Sequence, residues 1–138
     1  MQRSTVNRLV SAALEARKAA YTPYSHFAVG AALLCADGTV FTGANIESAS
    51  YSPTVCAERV AFFTAVHAGK RDFTAIAVVG GPAGSDVSGY CSPCGVCRQV
   101  MAEFCSPDLA VILFDGTEPR VLSLGELLPL SFGPADLA

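Results

Sequence analysis

Three thiols constrain this chain more than any other feature. Cys56 stands in "SPTVCAERVAFF", where a small residue and Glu58 follow it at the head of an apolar run. Cys94 and Cys97 stand in "SPCGVCRQV", again where a helix should open. A C-x2-C pair at a helix start lets two sulfurs point at one ion, and the positive helix terminus helps keep them deprotonated. Structural zinc sites normally use two such pairs, or one pair with two histidines. Neither set exists here, because the only histidines are His26 and His67 and they form no ligand pair. Cys56 is the obvious third donor. Three protein ligands leave one position open, the arrangement of a catalytic zinc. The fold must therefore bring the starts of two helices to one place.

Glu58 gives that open position a purpose. Zinc makes water a nucleophile near neutral pH, and a carboxylate two residues from a ligand can take and return its proton. One electrostatic difficulty remains. Three thiolates on one Zn²⁺ leave a net negative centre. Arg59 and the two helix N-termini would offset that charge, so Arg59 is expected to hydrogen-bond a ligand sulfur, with Arg98 as the less favoured candidate.

The chain has six cysteines, an even number, yet no secretory signal supports disulfides. The N-terminal apolar stretch is broken by Glu15, Arg17 and Lys18, and no apolar run reaches the length of a membrane span. A cytoplasmic protein is expected. Cys35 and Cys105 sit in apolar segments and read as core residues. Cys91 extends the pair to C-x2-C-x2-C, but the rest of an iron–sulfur run is missing, so it reads as a loop residue. A net charge of −3 without a basic cluster disfavours nucleic acid polymers. Small ligands remain open.

The length fits one domain over residues 1–138. Val6, Leu9, Val10, Ala13, Leu14, Ala20 and Tyr21 recur at helical spacing, with Ser4 or Thr5 as the cap and an end before Thr22-Pro23. "HFAVGAALLC" reads as a buried strand, "ADGT" as a hairpin turn and "VFTGANI" as the returning strand. A helix over 55–68 follows, with Ser52 or Thr54 near its cap and Gly69 as its stop. "FTAIAVVG" reads as a central strand, residues 95–104 as a short helix, "LAVILF" as a buried strand and "RVLSL" as a short edge strand. The order α-β-β-α-β-α-β-β gives a mixed sheet sandwiched by helices.

With these residues in view, the chain resembles the small, homotetrameric, zinc-dependent cytidine deaminases. The matching blocks are "YTPYSHFAVGAAL", "TGANIESASY", "CAERVAFF", "SPCGVCRQV" and "LLPLSF", which together span nearly the whole sequence. Cys-Ala-Glu followed by Pro-Cys-x-x-Cys is the zinc deaminase signature with cysteine as first ligand. The resemblance implies a three-layer α/β/α sandwich with a five-stranded mixed sheet, and one Zn²⁺ per subunit on Cys56, Cys94 and Cys97. It implies hydrolytic deamination of cytidine and deoxycytidine in pyrimidine salvage, with Glu58 as the catalytic proton carrier. It also implies a nucleoside site. Asn45 and Glu47 would bind the ribose hydroxyls, Phe27 would pack on the nucleoside, and the backbone of Ala57 would contact the pyrimidine. Phe132 would stack on the base in a neighbouring subunit's site, with Tyr51 at the same boundary. A neutral nucleoside needs hydroxyl-binding groups and stacking faces, not phosphate-binding arginines.

Each residue also has a plainer reading. Alone, Cys56 is a small buried hydrophobe, Glu58 a helix-start carboxylate, Arg59 a surface residue, Asn45 and Glu47 turn residues, and Phe27 and Phe132 core residues. His26 and His67 read as surface or helix-face residues. Two other functions stand beside the first. One is a deaminase of a related compound, such as an aminonucleoside antibiotic or free cytosine. The other is a non-catalytic protein with a purely structural zinc.

Overall fold

The computed structural model describes residues 1–138. Helix α1 (Arg3–Arg17) leads into the hairpin β1 (Phe27–Cys35) and β2 (Val40–Ala44); helix α2 (Ala57–His67) and strand β3 (Phe73–Pro82) follow. Helix α3 (Gly95–Phe104) then connects to β4 (Ala110–Phe114), β5 (Pro119–Ser123) and the single turn α4 (Leu124–Leu127). The five strands form one mixed sheet in the order β2-β1-β3-β4-β5. Only β3 and β4 are parallel, joined through α3; the other pairs are antiparallel.

The continuous apolar runs are explained by burial on both faces. Ala31, Leu33, Ile76, Val78, Val111 and Leu113 point to one side, with Ala61, Phe62, Cys97 and Met101 of α2 and α3. Ala32, Ala75, Ala77, Val79 and Ile112 point to the other, against Val6, Leu9, Val10 and Ala13 of α1. This is the period of two expected of strands, made invisible in the sequence because neither face meets water. The layers are α1, sheet, and α2 with α3 and α4. No helix is long and apolar enough to cross a membrane.

Four local expectations need correction. The first helix begins at Arg3 behind Gln2, whose carbonyl accepts from Thr5 and Val6 N–H, so Ser4 and Thr5 lie inside the helix rather than capping it. It also stops at Arg17, short of Thr22-Pro23, because Tyr21 N–H turns to the carbonyl of Asn45 and pairs as a bridge with Ile46. The second helix does not start at Val55, which bridges to Ile46 through two backbone bonds; Cys56 is its cap, and Thr54 Oγ1 instead accepts from Ser48 N–H. The edge strand ends at Ser123, and Leu124 opens the short helix α4. Its signal was present as Ser123 and Glu126, which form a reciprocal capping box.

Two close contacts position the future site. Arg17 donates to the carbonyls of Ala28, Gly81, Pro82 and Ser85, tying the end of α1 to the start of β1 and the end of β3. Gly43 lets the first turn of α2 lie directly on β2. A Cβ there would fall 2.4 Å from the carbonyl oxygen of Ala57 and 2.7 Å from Ala61 N. Both neighbours are backbone, so neither can swing aside. Gly43→Ala is expected to cost about 1–3 kcal/mol, read as a lower denaturant midpoint, whereas an unchanged midpoint would show that α2 moves freely on the sheet.

Candidate active site

Cys56 and Cys94 occupy the caps of α2 and α3, each with extended backbone and no side-chain cap bond. Their sulfurs are free to turn toward each other instead, and they lie 3.8 Å apart. Cys97, one turn into α3, is fully buried. The three Sγ atoms all lie within 4.8 Å of one another. Tetrahedral zinc with bonds of about 2.3 Å requires sulfurs about 3.8 Å apart, so the donor set fits this ion.

The protonation pattern shows why a cation belongs there. Cys56 is held low, first by its hydrogen bond with Cys97 and then by Arg59, although burial opposes this. Cys97 is pushed up, chiefly by the same bond to Cys56 and by burial. Arg59 Nη2 donates to Cys56 Sγ at 3.6 Å, while its Nε is buried without a partner. Arg98 does not reach the sulfurs. It donates to the carbonyls of Pro93 and Leu127 and to Ser92 Oγ, bracing the loop that carries Cys94.

Glu58 lies in the first turn of α2 and is only 4% exposed. Burial pushes its carboxyl above the usual range, and the nearby Cys56 adds to this. It borders a cavity of about 140 Å³ with Val29, Asn45, Cys56, Ala57, Cys91, Ser92 and Cys94. A buried carboxylate, three thiols and two helix N-termini thus meet at one small cavity. Ala57 is fully buried between Cys56 and Glu58. Cys91 lies in the loop after β3, outside the three-sulfur cluster, yet it lines this cavity. Its sulfur rests over Gly80, and burial pushes the thiol up to about 11. Cys35 is buried, and burial alone pushes the Cys105 thiol up to about 12. His26 and His67 are exposed.

The remaining residues lie on the loops around this centre. The Asn45 amide is engaged with the start of β1: Oδ1 accepts from Val29 N–H at 2.9 Å and Nδ2 donates to the Phe27 carbonyl at 2.9 Å. Glu47 lines a second cavity, of about 370 Å³, with Tyr24, Ser25, Tyr51 and Thr54. Phe27, Tyr51 and Phe132 are all exposed, so neither phenylalanine is the core residue that composition alone suggests. Tyr51 meets Tyr24 edge to face with centroids 6.2 Å apart. The carbonyl of Phe132 accepts from Gln99 Nε2 of α3. Sequence reasoning missed Ser25, which binds Glu47, and Gln99. A serine two residues before a strand's first N–H is a local turn signal, but its carboxylate partner is distant in sequence.

The fold and the cluster together define a sulfur-ligated metal centre of the deaminase kind on an α/β/α scaffold. Comparison with known proteins makes this specific. The family model for the cytidine and deoxycytidylate deaminase zinc-binding region matches residues 3–113. A cytidine deaminase of Sporosarcina psychrophila is 48% identical, covering 96% of this chain and 95% of the relative. One from Halalkalibacterium halodurans is 49% identical over 94% of this chain and 95% of its own length. The crystal structure of cytidine deaminase from Burkholderia pseudomallei superposes with a TM-score of 0.85 at 49% identity, covering 96% of this chain and all of that one. The chain belongs to the zinc-binding cytidine and deoxycytidylate deaminase family.

Arg59 bonds a donor sulfur while its Nε waits without a partner. Arg59→Gln is expected to weaken zinc binding by about 10–100-fold, measured by competition with a chelator; unchanged affinity would show that the guanidinium does not tune the cluster.

Proposed function

We propose that this chain deaminates cytidine and deoxycytidine hydrolytically, giving uridine or deoxyuridine and ammonia. The observation that carries the reading is a buried carboxylate, Glu58, at a cavity of about 140 Å³ that Cys56 and Cys94, two of the three clustered sulfurs, also line. The relatives named cytidine deaminase, matched along nearly their whole length, support it.

Cys56, Cys94 and Cys97 would hold the zinc. When bound, the ion acts as a Lewis acid and makes water reactive near neutral pH. Glu58 takes the proton of the attacking water and delivers it to N3 of the pyrimidine. It then takes the second proton of the added water from the oxygen now on C4 and carries it to the leaving amino group, so that the C4–N bond breaks, ammonia departs and the C4 carbonyl forms. Its raised affinity for protons suits this double duty, because a carboxyl that titrates nearer neutrality both accepts and returns a proton. Arg59 draws charge from Cys56. The Ala57 backbone contacts the pyrimidine, Asn45 and Glu47 bind the ribose hydroxyls, and Phe27 packs on the nucleoside.

In this reading the chain is one catalytic domain that works in pyrimidine salvage in the cytoplasm. It acts as a homotetramer in which Phe132 enters a neighbouring subunit's site, with Tyr51 at the same boundary. Exposure of 61% at Phe132 and 71% at Tyr51 supports this, since each apolar ring lacks a cover within its own chain.

Ultraviolet absorbance with cytidine, deoxycytidine, cytosine and CMP tests the substrate class: loss of signal with the two nucleosides alone is expected. No turnover by zinc-loaded protein would leave a structural metal as the better account. Glu58→Gln should keep its zinc and lose at least about a hundredfold in kcat; retained turnover would remove Glu58 from its role. Phe132→Ala should raise KM about tenfold or more, as loss of a base-stacking ring does. An unchanged KM would count against stacking across subunits.

A further inference from the structure

The carboxylate of Glu47 is held in an unusually complete grip. Its Oε1 accepts from the backbone N–H groups of Tyr24 and Ser25, both at 3.0 Å, and its Oε2 accepts from the hydroxyl of Ser25. That hydroxyl in turn accepts from Phe27 N–H at 3.0 Å. A serine hydroxyl has one proton to give. Because the Phe27 N–H occupies an acceptor position, the proton is directed at Glu47. One side chain thus ties together Glu47 and Phe27, two residues assigned to the nucleoside. His26, between Ser25 and Phe27 in the chain, sits at φ +55°, a left-handed conformation spanned by the bond from Phe27 N–H to Ser25 Oγ.

We propose that Ser25 is a positioning residue for the sugar. It fixes the Glu47 carboxylate relative to Phe27, so that the remaining lone pair of Oε2 faces a sugar hydroxyl. The inference rests on the assignment of Glu47 to the ribose. The hydrogen bonds from Ser25 also hold the Glu47 carboxyl below its usual range, keeping it ionised and acceptor-only. An acceptor-only group selects a ligand that donates, as a hydroxyl does, and disfavours a phosphate in that place. Ser25 and Glu47 share the wall of the cavity of about 370 Å³, alongside Tyr24, Tyr51 and Thr54.

The test compares zinc-loaded Ser25→Ala, Ser25→Thr and Glu47→Gln, with cytidine and with 2′,3′-dideoxycytidine, which lacks the secondary sugar hydroxyls. Ser25→Ala should raise KM for cytidine about tenfold, the effect of losing one hydrogen bond to a charged group, with kcat within about twofold. Ser25→Thr keeps the hydroxyl and should restore KM. With the dideoxynucleoside, Ser25→Ala should shift KM by less than about twofold, because the positioned oxygen has no hydroxyl to meet. An equal rise with both substrates would mean a general packing role and overturn the proposal, as would a threonine variant no better than alanine. Glu47→Gln separates the layers. If it leaves the cytidine KM unchanged, the ribose assignment fails and the Ser25 proposal with it. If it raises KM while Ser25→Ala does not, only the Ser25 proposal falls.

Discussion

Everything in this molecule is arranged around the repulsion of three sulfurs. Two unit charges about 4 Å apart repel by roughly 4 kcal/mol at an effective dielectric of 20. Three thiolates within 4.8 Å contain three such pairs. A chain that gathers them must supply positive charge, and it does so from several directions. Cys56 and Cys94 each cap a helix, where the backbone N–H groups concentrate partial positive charge. Arg59 adds a full charge through a bond to Cys56. A dication supplies the remainder. The sheet makes the gathering possible, because α2 and α3 bury Ala61, Phe62, Cys97 and Met101 against one of its faces. Cys97 is therefore both a donor of the sulfur cluster and a core residue.

The same burial shapes the acid beside the cluster. Glu58, in the first turn of α2 and bordering the cavity with Val29, Asn45 and Cys91, is buried, and its carboxyl rises in response. A surface glutamate would stay ionised and could accept a proton but would hold it poorly. Asn45 shows another economy of position. Its amide replaces strand pairing at the start of β1, bonding Val29 N–H and the Phe27 carbonyl. An amide has two donor hydrogens and two acceptor lone pairs. One of each is thus engaged with the backbone and one of each remains for a ligand. The residue that would touch substrate is also the one that keeps β1 in register with its loop.

What the sequence revealed and what it hid follow from the range of the interactions. The strands and helices were legible because their signals are local: apolar runs, the Asp37-Gly38 turn, and the stop at Gly69, which takes φ +91°. The metal donors were legible because their spacing is itself the chemistry. The helix caps were misread for a tertiary reason. Thr54 looks like a cap, but Ser48 claims its oxygen, and Cys56 takes the capping position with its sulfur turned away. Likewise, α1 was expected to run further because nothing local shows that Tyr21 must pair with Ile46. The short α4 was missed although its capping box is local, since "RVLSL" also satisfies a strand pattern. The partners of Arg17 and Glu47 lie far away in sequence and were beyond reach.

The proposed substrate side of the site is built differently from the metal side, and the contrast carries a physical meaning. The sulfurs and Glu58 hang from helices fixed on the sheet, whereas Phe27, Glu47, Tyr51 and Phe132 lie at element ends and in loops. Three residues near this periphery, His26, Tyr51 and Leu130, adopt positive φ without being glycine. Such conformations persist only where the surroundings hold them. For His26 the surroundings are visible: the bonds among Ser25, Glu47 and Phe27. For Leu130 and Phe132, the one tie to α3 beyond Leu127 is Gln99, and both side chains stand in solvent. An apolar ring presented this way has its face free to pack on a partner or a ligand. In the proposed tetramer a ring contributed by a neighbour would close over the base only when the subunits are assembled. In that arrangement the sulfurs and Glu58 would belong to each chain's own sheet and helices, and the stacking ring would come from a neighbour.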